Sequence, residues 1–257
     1  MPRYKETLKQ HVAKEGALSL PKLRRIAVSL LHGLEKLHSL GYIHRDLKPQ
    51  NVMLDDEQKA LLIDYGVAVR FEDKNKKHIK FEKRAASIVG TPTFLSQNAV
   101  QGMTVSRRDD LESMLYVLLQ MHRCELPWQN YSDVKKECTF PEEALEEFKE
   151  ARANLSDEAV AGFFPRQLRA AFRYVRALRF SEFPNYALLR DILADRAKQP
   201  KSDLLCVPSL PKGRRSKSIC MKERSASAEL GCARGSGREL KASEQTFVAE
   251  GGSQDEL

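Results

Sequence analysis

At 257 residues, with 42% hydrophobic and 30% charged side chains, the chain has the make-up of a soluble globular protein with enough apolar residues for a sizeable core. Its formal charge of +8 suits nucleic acid, anionic lipid or acidic peptides and does not choose among them. No run approaches the roughly twenty apolar residues of a membrane span, the N-terminus lacks the apolar core of a signal peptide, and the five cysteines form no C-x-x-C pair, so a cytoplasmic or nuclear address with reduced thiols is expected.

Residues 4–16 read as a short charged helix or loop ending at Gly16. Ser19 then offers an N-cap and Pro21 a first-turn residue. Leu23, Ile26, Ala27, Leu30, Leu31, Leu34 and Leu37 recur at spacings of three and four, which predicts a helix with one buried stripe running to about Ser39, where Gly41 stops it. His32 and His38 on this helix read as surface or core histidines rather than metal ligands.

The stretch Tyr42-Ile-His-Arg-Asp-Leu-Lys-Pro-Gln-Asn51 carries the chemistry. It places an acid able to take a hydroxyl proton (Asp46), a cation two residues on (Lys48) and an amide oxygen (Asn51) close together, and Asp64 adds a second acid. These are the groups that phosphoryl transfer from a magnesium nucleotide requires. Val52-Met53-Leu54 and Leu61-Leu62-Ile63, separated by the turn-prone residues 55–58, predict a small β-hairpin that draws Asn51 and Asp64 together. His44 to Asn51 agrees with the protein-kinase catalytic-loop pattern H-R-D-L-x-x-x-N. Asp64-Tyr65-Gly66 stands where most kinases have Asp-Phe-Gly, and the added hydroxyl of Tyr65 needs a partner if it is buried.

Lys74, Lys76, Lys77, Lys80, Lys83 and Arg84 form a dense basic run over residues 70–88. It reads equally as a solvated, mobile loop or as a segment that pairs with acidic or phosphorylated partners. Ser106 to Leu119 predicts a long central helix, with acids in its first turn and an unbroken apolar second half. Leu126-Pro127-Trp128 closes it. Residues 131–150, 156–162, 165–178 and 186–197 read as amphipathic helices. From Pro200 on, Ser, Lys, Arg, Gly and Glu dominate and Phe247 is the sole aromatic residue, so the chain divides into a domain over 1–199 and a disordered tail over 200–257.

The catalytic loop, Gly90-Thr91, Ser96-Gln97-Asn98, the helix start Ser106 to Ser113, Leu126-Pro127-Trp128, and Arg179-Phe180 with Tyr186 and Leu189-Arg190 together resemble the casein kinase 1 family of Ser/Thr protein kinases. Ser96-Gln97-Asn98 stands where that family has Ser-Ile-Asn and most kinases have Ala-Pro-Glu. The resemblance covers about residues 5–197 and implies a mainly α kinase C-terminal lobe with a small β-hairpin. It implies ATP and Mg2+ as cofactors. Asp46 would orient and deprotonate the substrate hydroxyl, Lys48 would balance charge on the transferred phosphoryl group, and Asn51 and Asp64 would hold magnesium. Thr91 would tie the peptide-binding loop to Asp46, and Asp110 would hold the catalytic-loop backbone. Acidic or phosphorylated proteins are the implied substrates, while membrane and nucleic-acid partners are not expected. Thr93, where the family usually has Arg, sets selectivity for phosphate-primed sites in question.

Before residue 42 there is no G-x-G-x-x-G and no V-A-I-K-like strand, so the chain is expected to be a truncated kinase whose nucleotide-covering lobe is absent. Positioning of the triphosphate is most of the catalysis, so the chain alone is expected to bind ATP poorly and transfer little phosphate. Its uncovered lobe face should expose apolar surface and self-associate. The rival reading is a non-catalytic, kinase-derived binding module.

Overall fold

Leu20–Ser39 forms the helix that the leucine spacing predicts, here α2, and its stripe from Leu23 to Leu34 is buried. The computed structural model describes residues 4–83, 88–129 and 142–196. Ahead of α2 lie strand β1 (Tyr4–Thr7) and helix α1 (Leu8–Glu15); after it come β2 (Tyr42–Ile43), β3 (Val52–Asp55), β4 (Ala60–Leu62) and β5 (Val69–Arg70). Helices make up the rest: α3 (Gln97–Val100), α4 (Arg107–Arg123), α5 (Glu142–Ala153), α6 (Asp157–Phe163), α7 (Arg166–Ala177) and α8 (Tyr186–Leu193). Single 3-10 turns at Pro49–Asn51 and Pro92–Phe94 complete the described elements.

The core is built on α4. From Leu111 to Leu119 it is buried on nearly every side, which is why its sequence shows no polar stripe there. Helix α2 packs against α4, α8 and β4, and α7 packs against α4, α6 and α8. Trp128 is buried beside the exit of α4, its ring 4.8 Å from that of Tyr116 and its indole N–H donating to Thr93 O at 2.9 Å.

One expectation needs correction and another is sharpened. The small sheet has three strands in the order β1-β3-β4, because Tyr4–Thr7 pairs antiparallel with β3 in the register Glu6↔Leu54 and Thr7↔Met53. Charged residues suit this segment as an edge strand. The helix begins only at Leu8, where Thr7 and Gln10 exchange hydrogen bonds in a capping box. Within the basic run, residues 71–79 form a hairpin whose turn is exposed to solvent. β5 pairs with β2, Ile79 N donates to Phe71 O at 2.8 Å, and the Asp73 carboxylate accepts the amides of Asn75 and Lys77 to fix the turn. Arg84, the segment 131–141 of an expected helix, and the tail 200–257 lie outside the described residues.

Leu31, fully buried in the stripe of α2, is expected to cost about 2–5 kcal/mol of stability when cut to Ala, whereas exposed Leu40 at the end of the helix should cost under ~0.5 kcal/mol. Urea denaturation of the two variants checks this.

Candidate functional site

Between β2 and β3 the chain leaves regular structure, and a buried carboxylate holds it in place. Asp110, in the first turn of α4, accepts the His44 amide on Oδ2 at 2.7 Å and the Arg45 amide on Oδ1 at 2.9 Å. His38 Nε2 lies 2.9 Å from the same Oδ2. Burial alone would raise the Asp110 carboxyl; the bonds from His38 and from the two amides outweigh it and hold the group below the ordinary carboxylate range. Arg45 sits at φ 70°, a left-handed conformation that costs about 1–3 kcal/mol for such a residue unless its surroundings enforce it. Its Nε donates to Val67 O at 2.6 Å, so side chain and backbone are both fixed.

Asp46 follows directly. Its Oδ1 accepts from the Thr91 amide at 2.9 Å and the Thr91 hydroxyl at 2.7 Å; its Oδ2 accepts from Lys48 Nζ at 2.6 Å and Asn51 Nδ2 at 3.2 Å. Burial pushes this carboxyl up, but the bonds from Lys48 and Thr91 win and keep it below the ordinary range. Asp46 is therefore an oriented carboxylate at neutral pH, partly accessible, with a cation beside it. Asp46, Lys48, Asn51 and Thr91 come together in one cluster although Thr91 is far along the chain.

Asp64 lies just past β4 and is joined to this cluster through the backbone. Ile63 N donates to Asn51 O at 3.0 Å, and His44 bridges the two sides by accepting the Asp46 amide on Nδ1 at 3.3 Å while its Nε2 meets Ile63 O at 3.2 Å. Asp64 is exposed at φ 64°, with one oxygen taking the Gly66 amide at 3.2 Å. Asn51 uses its amide nitrogen on Asp46, which leaves its amide oxygen as an acceptor. An amide oxygen and a carboxylate are hard oxygen donors, the set that suits magnesium completed by phosphates and water. Among the described residues no group of three His, Cys, Asp or Glu side chains gathers to hold a metal without such help. Tyr65, the aromatic residue after Asp64, is half exposed, and its hydroxyl donates to Leu62 O at 3.0 Å.

Three residues take a part in the site that their place in the sequence did not assign to them. His38 is buried where the stripe of α2 continues four residues past Leu34, a slot that the leucine pattern assigned to Leu37. Tyr186, at the start of α8, places its hydroxyl 2.6 Å from His38 Nδ1. Gly90 lies so near the loop of residues 44–51 that a Cβ there would come within 2.4 Å of Arg45 O, at a φ of 112° that disfavours any side chain. An apolar stripe with a histidine in phase was the available signal for His38, while Gly90 and Tyr186 stood among the residues of the family resemblance with no role attached.

Residues 2–172 match the protein kinase domain family model. The chain is also 34% identical over 192 residues to casein kinase 1-like protein HD16 of Oryza sativa subsp. japonica, an alignment covering 72% of this chain and 26% of that protein. The chain thus spans about a quarter of the length of this curated relative.

Two outcomes are expected. Gly90→Ala should destabilise the fold by about 2 kcal/mol or more, read by urea denaturation, because the new methyl must displace the Arg45 carbonyl. Thr91→Val removes one of the bonds that depress Asp46, so the carboxyl should titrate at higher pH, read by carbon NMR. The sign for stability follows. A depressed carboxyl stabilises the fold above its unfolded value of about 3.9 and loses that contribution as pH falls through the folded value.

Proposed function

Because the chain belongs to the protein kinase domain family, we propose that it is a Ser/Thr protein kinase of the casein kinase 1 type, transferring the γ-phosphate of ATP to acidic or phosphorylated proteins. The observation that carries this reading is the Asp46 carboxylate, fixed by Thr91 on one oxygen and by Lys48 and Asn51 on the other. Asp46 takes the proton of the substrate hydroxyl as that oxygen bonds to the γ-phosphorus and the bond to the leaving ADP oxygen breaks. Lys48 offsets negative charge on the transferred group. Asn51 and Asp64 would hold magnesium, which supplies charge neutralisation for the phosphates.

Acidic substrates fit the exposed hairpin, whose Lys74, Lys76, Lys77, Lys80 and Lys83 have no ion pair among the described residues. Thr93 in place of the family's Arg argues against a requirement for priming phosphate. No described helix is long and apolar enough to cross a membrane, and a cytoplasmic or nuclear location is the proposed one. Met53 and Leu61 pair across β3 and β4 on the outer face of the sheet, where Leu61 is 40% exposed, and this face is the proposed surface for self-association.

A second reading is a non-catalytic, kinase-derived binding module. Labelled ATP, magnesium and an acidic peptide separate the readings. Weak phosphate transfer is expected from these residues alone, stronger transfer when a relative's nucleotide-covering lobe is fused ahead of them, and none in either form with Asp46→Asn. Transfer that stays at the Asp46→Asn level even in the fused chain would make the binding module the better account.

A further inference from the structure

Tyr186 is separated from Asp46 by most of the described chain, yet its hydroxyl ends the line of hydrogen bonds that begins at the catalytic loop. Its ring is 3% exposed, and the bond to His38 Nδ1 at 2.6 Å is the only one its oxygen makes among the described residues. Burial pushes the phenol above the ordinary tyrosine range, so the hydroxyl keeps its proton at any working pH. A proton directed at Nδ1 makes that nitrogen an acceptor and leaves the imidazole proton on Nε2. Nε2 faces Asp110 Oδ2 at 2.9 Å, and the same carboxylate receives the His44 and Arg45 amides. With the proton on Nδ1 instead, an imidazole lone pair would meet a carboxylate lone pair across that distance, and the Tyr186 hydroxyl would have no acceptor.

We infer that Tyr186 is a positioning residue for the catalytic loop: its hydroxyl selects the Nε2–H form of His38 and thereby orients the Asp110 carboxylate that holds His44 and Arg45. Packing accounts for the ring, which lies 6.0 Å from the imidazole and 5.7 Å from Phe183. Packing does not account for the hydroxyl, which in a purely space-filling residue would be a buried polar group to be avoided. The consequence for phosphate transfer rests on the kinase reading; the geometry does not.

The test compares Tyr186→Phe with Tyr174→Phe in the full chain. Tyr174 accepts the Asn185 amide at 2.7 Å and so supports the same start of α8 without touching His38, which makes it the structural control. Nitrogen NMR of the histidine rings is expected to show the proton of His38 on Nε2, with Nδ1 as acceptor, in the wild type and in Tyr174→Phe. In Tyr186→Phe the Nδ1–H form should gain population, and the His44 and Arg45 amides should exchange about fivefold faster, the factor that loss of one typical hydrogen bond supplies. A phosphate-transfer rate that falls about fivefold with the peptide KM unchanged would follow from the same loosening. If Tyr186→Phe leaves the His38 form and both amides at wild-type values, or if the control moves them equally, Tyr186 is packing and the inference is wrong. If neither the chain nor its fused form shows transfer above the Asp46→Asn level, the kinase reading is what fails, and His38 and the two amides still decide the role of Tyr186.

Discussion

The Asp110 carboxylate is the constraint on which the site depends. An ionised group 3% exposed in a protein interior is costly unless every oxygen is served, and here the donors are the two backbone amides that shape the catalytic loop and the ring of His38. The dependence runs both ways. The loop cannot leave without orphaning a buried charge, and the charge cannot be buried without the loop. A left-handed Arg45, which a free peptide would abandon, becomes the stable arrangement because both amides of its turn are spoken for.

The neighbouring carboxylate shows how the same helix end serves the other wall of the cleft. Asp109, also buried, accepts from Ser96 Oγ at 2.7 Å, Asn98 Nδ2 at 2.9 Å and the Ser106 amide at 2.7 Å. Its carboxyl is pushed up by burial, which these neutral donors only partly offset, whereas the histidine and amides at Asp110 overturn that penalty. One turn further, Glu112 takes the Gln97 amide at 2.8 Å and Arg176 at 2.9 Å. The first turns of α4 thus grip residues 44–45 with one acid and residues 96–98 with two others. The acids also face the positive end of the helix dipole. The catalytic loop and the segment beyond Thr91 keep their spacing because a single rigid helix holds both.

The central features were legible in the sequence where local pattern decides them. The three- and four-residue spacing of leucines gave away α2, the acids ahead of an apolar run gave away α4, and the ordered motif from His44 to Asn51 named the chemical groups before any geometry was known. What escaped is what long-range pairing decides. Tyr4–Thr7 is too short and too charged to announce itself as a strand, and it becomes one only because β3 offers an unpaired edge. The lysine-rich segment reads as solvent-loving on composition, and its turn is exposed, but the hairpin that the Asp73 turn and the contact of the His78 ring with Phe180 at 4.5 Å make of it is not announced there. His38 and Tyr186 meet across a contact that no spacing rule reports.

The site is built more from backbone than its motif suggests, and this explains the narrow tolerance around it. Arg45 offers its amide to Asp110 and its carbonyl to the face of Gly90, where no Cβ fits. The residue after that glycine, Thr91, presents its own amide and hydroxyl to Asp46. The chain thus closes a ring from Arg45 through Gly90 and Thr91 to Asp46, the acid that follows Arg45, with Asp110 anchoring it and backbone atoms at most joints. A side chain can be trimmed and leave its neighbours in place, but a displaced carbonyl moves the two residues on either side of it. Thr91, Lys48 and Asn51 together leave the Asp46 carboxylate 9% exposed, so its orientation is set by hydrogen bonds on both oxygens rather than by solvent.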